Sequence, residues 1–154
     1  MFKIKEDYIV NITSKHIVEG DEDELNLITF GTFKEKGDKK YIVYKEYDEN
    51  FPDKFKVCII KIDNENMVTL IKNDVSQTRL ILEKGKRHYS PYYTDAGSMT
   101  LGVFTNYIDF KNYKDKVILN LKYSLEFNSS LMSINEIKIS ATKKPEGDAN
   151  NAVV

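Results

Sequence analysis

Val117, Leu119, Leu121, Tyr123, Leu125 and Phe127 occupy every second position of one unbroken segment. In an extended strand, alternate side chains point to opposite faces, so all six fall on one face; a helix would scatter them around its axis. One apolar face this long needs a sheet large enough to cover it. The rest of the chain supplies one. Val, Ile, Thr, Tyr and Phe make up 53 of the 154 residues and alanine only four, a bias toward pleated surfaces over helices.

The same alternation recurs between turn signals. Tyr8, Val10 and Ile12 alternate with Ile9, Asn11 and Thr13, and Leu25, Leu27, Thr29, Gly31 and Phe33 alternate with a more polar set. Lys36-Gly37-Asp38 turns the chain into Tyr41–Tyr47. Further strands are expected over 55–63, 67–72, 76–83, 89–94, 99–110 and 131–142, with Pro91 marking 89–94 as an edge or bulged strand. No window holds a sustained i, i+3, i+4, i+7 pattern, so no long helix is expected. About ten short-linked strands in a chain of single-domain length predict one all-β, antiparallel, up-and-down barrel over 1–142. The segment 143–154, Lys-Lys-Pro-Glu-Gly-Asp-Ala-Asn-Asn-Ala-Val-Val, has the composition of a flexible tail.

Several function classes lose support at this level. Lys plus Arg (23) against Asp plus Glu (24) leaves a net charge of −1, which gives no electrostatic footprint for nucleic acid or an anionic membrane. The single cysteine, Cys58, rules out an internal disulfide or a multi-cysteine metal site. It sits in an apolar strand and reads as a small core residue. His16 and His88 have no paired metal-ligand spacing, and the glycines form no phosphate-binding loop, so no metal and no cofactor is expected. The acidic run Glu19–Glu24 lacks calcium-loop spacing and reads as a solvated hairpin loop. Without a signal peptide, membrane span or lipidation pattern, the expected compartment is the cytoplasm.

Segment order also carries a family resemblance. Leu25-Asn-Leu-Ile-Thr-Phe-Gly31-Thr-Phe33 followed by Tyr41-Ile-Val-Tyr44-Lys-Glu46 resembles the YwiB-like family. So does Lys86-Arg-His-Tyr-Ser-Pro-Tyr92-Tyr-Thr94-Asp-Ala-Gly97-Ser-Met-Thr-Leu101-Gly-Val103-Phe-Thr105, followed by Leu121-Lys-Tyr123-Ser-Leu125. The likeness implies a small bacterial protein with a calycin-like, lipocalin-like barrel of eight to ten strands; it implies no activity. The chain departs from the family pattern at Lys72 and Asp74, where an arginine and a glycine are usual, and at Asp95-Ala96 before the Gly97 turn.

Candidate site residues follow from alternation. Taking the apolar register as inward places Thr29, Tyr44, Glu46, Lys72, Thr78, Thr105, Tyr123 and Asn135 inside the barrel. Buried polar groups need hydrogen bonds or water, so these residues imply either an internal network or a hydrated cavity. An inward ion pair is expected between Glu46 and Lys72, and the tyrosine-rich 88–93 segment places Tyr92 at a barrel end. Three readings compete: a small amphipathic ligand held by Glu46, Lys72, Tyr44, Thr105, Tyr123, Tyr92 and Asn135; a filled barrel acting as an interaction module, monomer or homodimer; and an enzyme using Glu46 or His88 as acid or base. The last has no visible nucleophile–base pairing behind it, so no catalytic residue is assigned.

Overall fold

Among the described residues ten strands follow one another along the chain; all pairing is antiparallel, mostly between consecutive strands, and the first strand also pairs with the last. They are β1 (Tyr8–Val18), β2 (Asp21–Lys36), β3 (Lys39–Tyr47), β4 (Phe55–Asn64), β5 (Met67–Asn73), β6 (Gln77–Glu83), β7 (Arg87–Thr94), β8 (Gly97–Tyr113), β9 (Lys116–Phe127) and β10 (Ser130–Lys143). The structure, a computed structural model, describes residues 5–73 and 77–145, without the side chains of residue 77 and residues 92–94. The turn expected at Asn73-Asp74 therefore falls in part outside the described residues, as does most of the tail expected from 143. Among the described residues no helix is long and apolar enough to cross a membrane.

The sheet runs β6-β5-β4-β3-β2-β1-β10-β9-β8-β7, so β1 and β10 join the two ends of the chain at its centre. The sheet curls until β6 meets β8. There Lys84 bridges Thr105, Gly85 N donates to Thr105 O (2.8 Å) and Thr105 N donates to Lys86 O (3.4 Å). The result is a nearly closed, calycin-like barrel. From that knot β6 and β7 run on without pairing to each other, leaving a seam. Pro91 lies on β7, an edge of the sheet, where its missing N–H breaks no ladder.

The period-2 residues of β9 all face inward. Val117, Leu119, Leu121 and Tyr123 are buried, together with Val10, Ile42, Ile60, Val68, Leu82 and Ile139 from the other walls. One end of the barrel is closed by rings: Tyr8 packs edge-on against Phe33 (6.1 Å between centroids), and Phe33 lies 6.4 Å from Phe110.

The opposite end is open because β2 parts from β3. All of β1 is paired with β2, from Val18 opposite Asp21 to Tyr8 opposite Gly31. Along β3, β2 is paired only from Gly31 to Lys36. Gly31 sits at the fork, where an added Cβ would lie 2.2 Å from Val43 O, an approach that only glycine permits.

Two expectations change here. The acidic run is not a loop: Glu19 (φ 50°) and Gly20 (φ 84°) form the whole turn, and Asp21–Glu24 continue as paired strand. Two consecutive positive-φ residues match the twist of a two-residue hairpin, and Lys15 lies 3.6 Å from Glu22 across the pair. The 99–110 strand also extends at both ends, to Gly97–Tyr113, around a bulge between Thr105 and Tyr107.

Candidate functional site

Between the ring-closed end and the open mouth, the barrel encloses a cavity of about 390 Å³. Its wall is aliphatic, with Ile12, Leu27, Ile60, Leu70, Leu80 and Ile137 facing in. Each lies on the inward register of its strand, as the pairings Ile12 with Leu27 and Ile60 with Leu70 with Leu80 require.

Three polar side chains reach this apolar space. Tyr44 and Cys58, paired across β3 and β4, line it with Tyr123 of β9. Burial pushes the Tyr44 phenol well up, with the nearby Cys58 and the Glu46 carboxylate adding to it. Tyr123 is pushed up to about 12 by burial alone. The Cys58 thiol is raised by burial and then by Glu46, while Lys72 and Lys56 oppose them. At neutral pH these three groups are uncharged donors, and Cys58 is a poor nucleophile.

The charged and hydrogen-bonding groups gather higher, at the mouth. Lys72 Nζ lies 3.7 Å from Glu46 Oε2, across the intervening β4. The pair forms as the register expects, but at the rim: the side chains are 51% and 32% exposed. Their positions near the ends of β5 and β3 leave both heads within reach of water, which replaces the expected internal pair by a solvated one. On the facing wall, His16 lines the cavity with Ser14, and His16 Nδ1 is hydrogen-bonded to Asn135 Oδ1. Asn135, only 1% exposed, completes the arrangement by donating Nδ2–H to Ser133 Oγ (3.0 Å). With Nδ1 donating, Nε2 of a neutral His16 ring is left as an acceptor.

Of the expected site residues, Glu46, Lys72, Tyr44 and Tyr123 share this cavity, with Thr78 beside them. Asn135 acts one step back, through His16. Thr29 lies outside it and donates to Lys45 O (3.0 Å). Thr105 is fully buried at the β6–β8 knot and does not line the cavity. Tyr92 lies in β7 opposite Met99, and its side chain falls outside the described residues. His88 is at the lower seam, with Nε2 2.8 Å from Glu83 Oε1, so it does not join Glu46. His16 and Ser14 escape the sequence reading, whereas Leu25 falls on the face that its alternation with Leu27 gives it. Extending the Tyr8-Val10-Ile12 alternation by two steps reaches Ser14 and His16, a signal weakened because both are polar.

This architecture defines a class: an antiparallel calycin-like barrel, packed solid at one end and hollow at the other. A family model described as a domain of unknown function (DUF1934) matches residues 10–139, and the chain belongs to that family. The crystal structure of the ywiB protein from Bacillus subtilis is similar, with a TM-score of 0.76 at 16% identity over 92% of this chain and 96% of that one. At that identity the likeness is one of fold. Comparison with curated proteins gives no match.

Proposed function

We propose that the barrel binds one small amphipathic ligand, its apolar part in the cavity and its polar part at the mouth. The carrying observation is the cavity itself. At about 390 Å³ it lies within the range of small-molecule pockets, roughly 300–1,000 Å³. Its aliphatic wall and convergent polar rim match the composition of such pockets. A filled-core interaction module would not need an unfilled half. Native mass spectrometry of protein purified gently from cells tests the reading: an adduct that disappears on denaturation is expected. A second measurement uses Leu80→Trp, which places an indole in the cavity. It is expected to abolish binding of a fluorescent apolar probe while the far-UV spectrum stays that of the wild type. A bare protein whose probe binding is indifferent to Leu80→Trp would overturn the proposal.

A further inference from the structure

The uncharged donors of the cavity stand at one height, which sets what a ligand must offer there, an inference that rests on the ligand-binding reading above. Across β1, β10, β9 and β8, His16, Asn135, Tyr123 and Thr105 are successive register partners. Across β3, β4 and β5, Tyr44, Cys58 and Lys72 form a second such row. Two residues deeper along the strands the inward side chains turn aliphatic, with Leu121 and Ile137 on one wall and Ile60 and Leu70 on the other. The rows are thus a polar belt between an aliphatic floor and the Glu46 rim. Part of this belt is already engaged: His16 Nδ1 is bonded to Asn135 Oδ1, and the Lys72 ammonium lies 3.7 Å from Glu46 Oε2. Tyr123 is not. Its side chain lines the cavity at 5% exposure, yet its hydroxyl has no hydrogen-bond partner among the described residues. Tyr44 lines the same space at 7% exposure. The rise of its phenol, due first to burial, includes a contribution from Tyr123, so the two rings lie within electrostatic reach of each other. Cys58, the register partner of Tyr44, presents a sulfur, which is a weak acceptor.

We infer that the ligand carries an uncharged carbonyl held by the Tyr123 and Tyr44 hydroxyls: an acyl ester or amide with its aliphatic acyl chain on the cavity floor and its polar remainder at the mouth. A carbonyl oxygen has two lone pairs and no proton, so it accepts from both phenols and leaves no donor of its own unpaired. An alcohol at the same height brings a proton that the surrounding aliphatic side chains cannot accept. A carboxylate would lose its hydration at this depth, which costs more than two phenol hydrogen bonds offset. The ammonium that could compensate it, that of Lys72, is half exposed and drawn out to Glu46. Tyr123 is therefore the residue that selects the carbonyl, and the aliphatic floor selects the chain attached to it.

The experiment compares monooctanoylglycerol, octyl glyceryl ether and octanoate by displacement of a fluorescent apolar probe from the full chain at neutral pH. The ester and the ether share head and chain length and differ in the carbonyl. The ester is expected to bind about fivefold more tightly than the ether, the worth of one neutral hydrogen bond, with octanoate weaker than the ester. Tyr123→Phe should remove the ester's advantage and leave the ether unchanged, so the ether also reports that the variant is folded. In the wild type the infrared carbonyl stretch of the bound ester should lie below its position in alkane, as a hydrogen-bonded carbonyl does, and Tyr123→Phe should move it back. Equal binding of ester and ether, or an ester advantage indifferent to Tyr123→Phe, overturns the carbonyl assignment while leaving the cavity reading intact. Tighter binding of octanoate than of the ester overturns the uncharged group. If none of the three displaces a probe whose binding Leu80→Trp abolishes, the acyl assignment alone falls; if the probe is also indifferent to Leu80→Trp, the ligand-binding reading falls with it.

Discussion

Thr105 and Thr29 are both buried strand threonines, yet replacing each by valine should move stability in opposite directions. Thr105 is 0% exposed, and its Oγ1 has no hydrogen-bond partner among the described residues. Its backbone carries the knot that nearly closes the barrel, and valine preserves that backbone and the side-chain shape. An unsatisfied buried hydroxyl costs about 1–3 kcal/mol, so Thr105→Val should stabilise by about 1 kcal/mol once imperfect repacking is allowed for. For a domain of this size that is a rise in Tm of about 2–4 °C. Thr29 is the contrast. Its Oγ1 donates to Lys45 O at 3.0 Å where β2 begins to leave β3. Thr29→Val loses that bond and should destabilise by about 1 kcal/mol. Urea unfolding followed by circular dichroism suits a chain without tryptophan. The midpoints should move apart with the slope m unchanged. A loss at Thr105 matching that at Thr29 would refute the reasoning, because the Thr105 hydroxyl would then have to be satisfied in solution.

Three further outcomes follow from the geometry. Gly31→Ala should cost at least about 3 kcal/mol, because its Cβ meets the backbone atom Val43 O and neither strand can retreat without opening the fork; yield and urea midpoint report it, and a near-neutral effect would contradict the close approach. Glu46→Gln should cost no more than about 1 kcal/mol, much like Glu22→Gln, since both ion pairs are solvated; a loss above about 2 kcal/mol would place the Glu46 pair inside the barrel after all. The Glu83 carboxyl is held below the usual carboxylate range first by its hydrogen bond with His88 and then by Lys86. A depressed folded-state value adds stability above the ordinary glutamate range, about pH 4.3, and loses it as pH falls through the folded value. The Tm gap between wild type and Glu83→Gln should therefore be steady above about pH 5 and close in more acid solution; a gap that persists there would mean that another group carries it.

Alternation along single strands was enough to put Tyr44 and Glu46, then Lys72, then Tyr123 on the inward face, because a side-chain period of two ties each residue to its neighbours two positions away. The turn residues then forced sequential antiparallel pairing, and the ordered segments from Leu25 to Leu125 pointed to the family. Alternation says nothing about height along the barrel axis. That height is set by register between strands, which brings His16 to Asn135, 119 positions away. It also lifts Glu46 and Lys72 to the rim and drops Thr105 to the knot. The acidic run misled for a related reason: its charges mark exposure, and only pairing with Val18–Lys15 shows that the exposed residues are strand. The cavity lay furthest from the sequence. An apolar inward face packs solid or stays hollow according to the distance between opposing walls, and here that distance is set where Gly31 lets β2 swing away from β3.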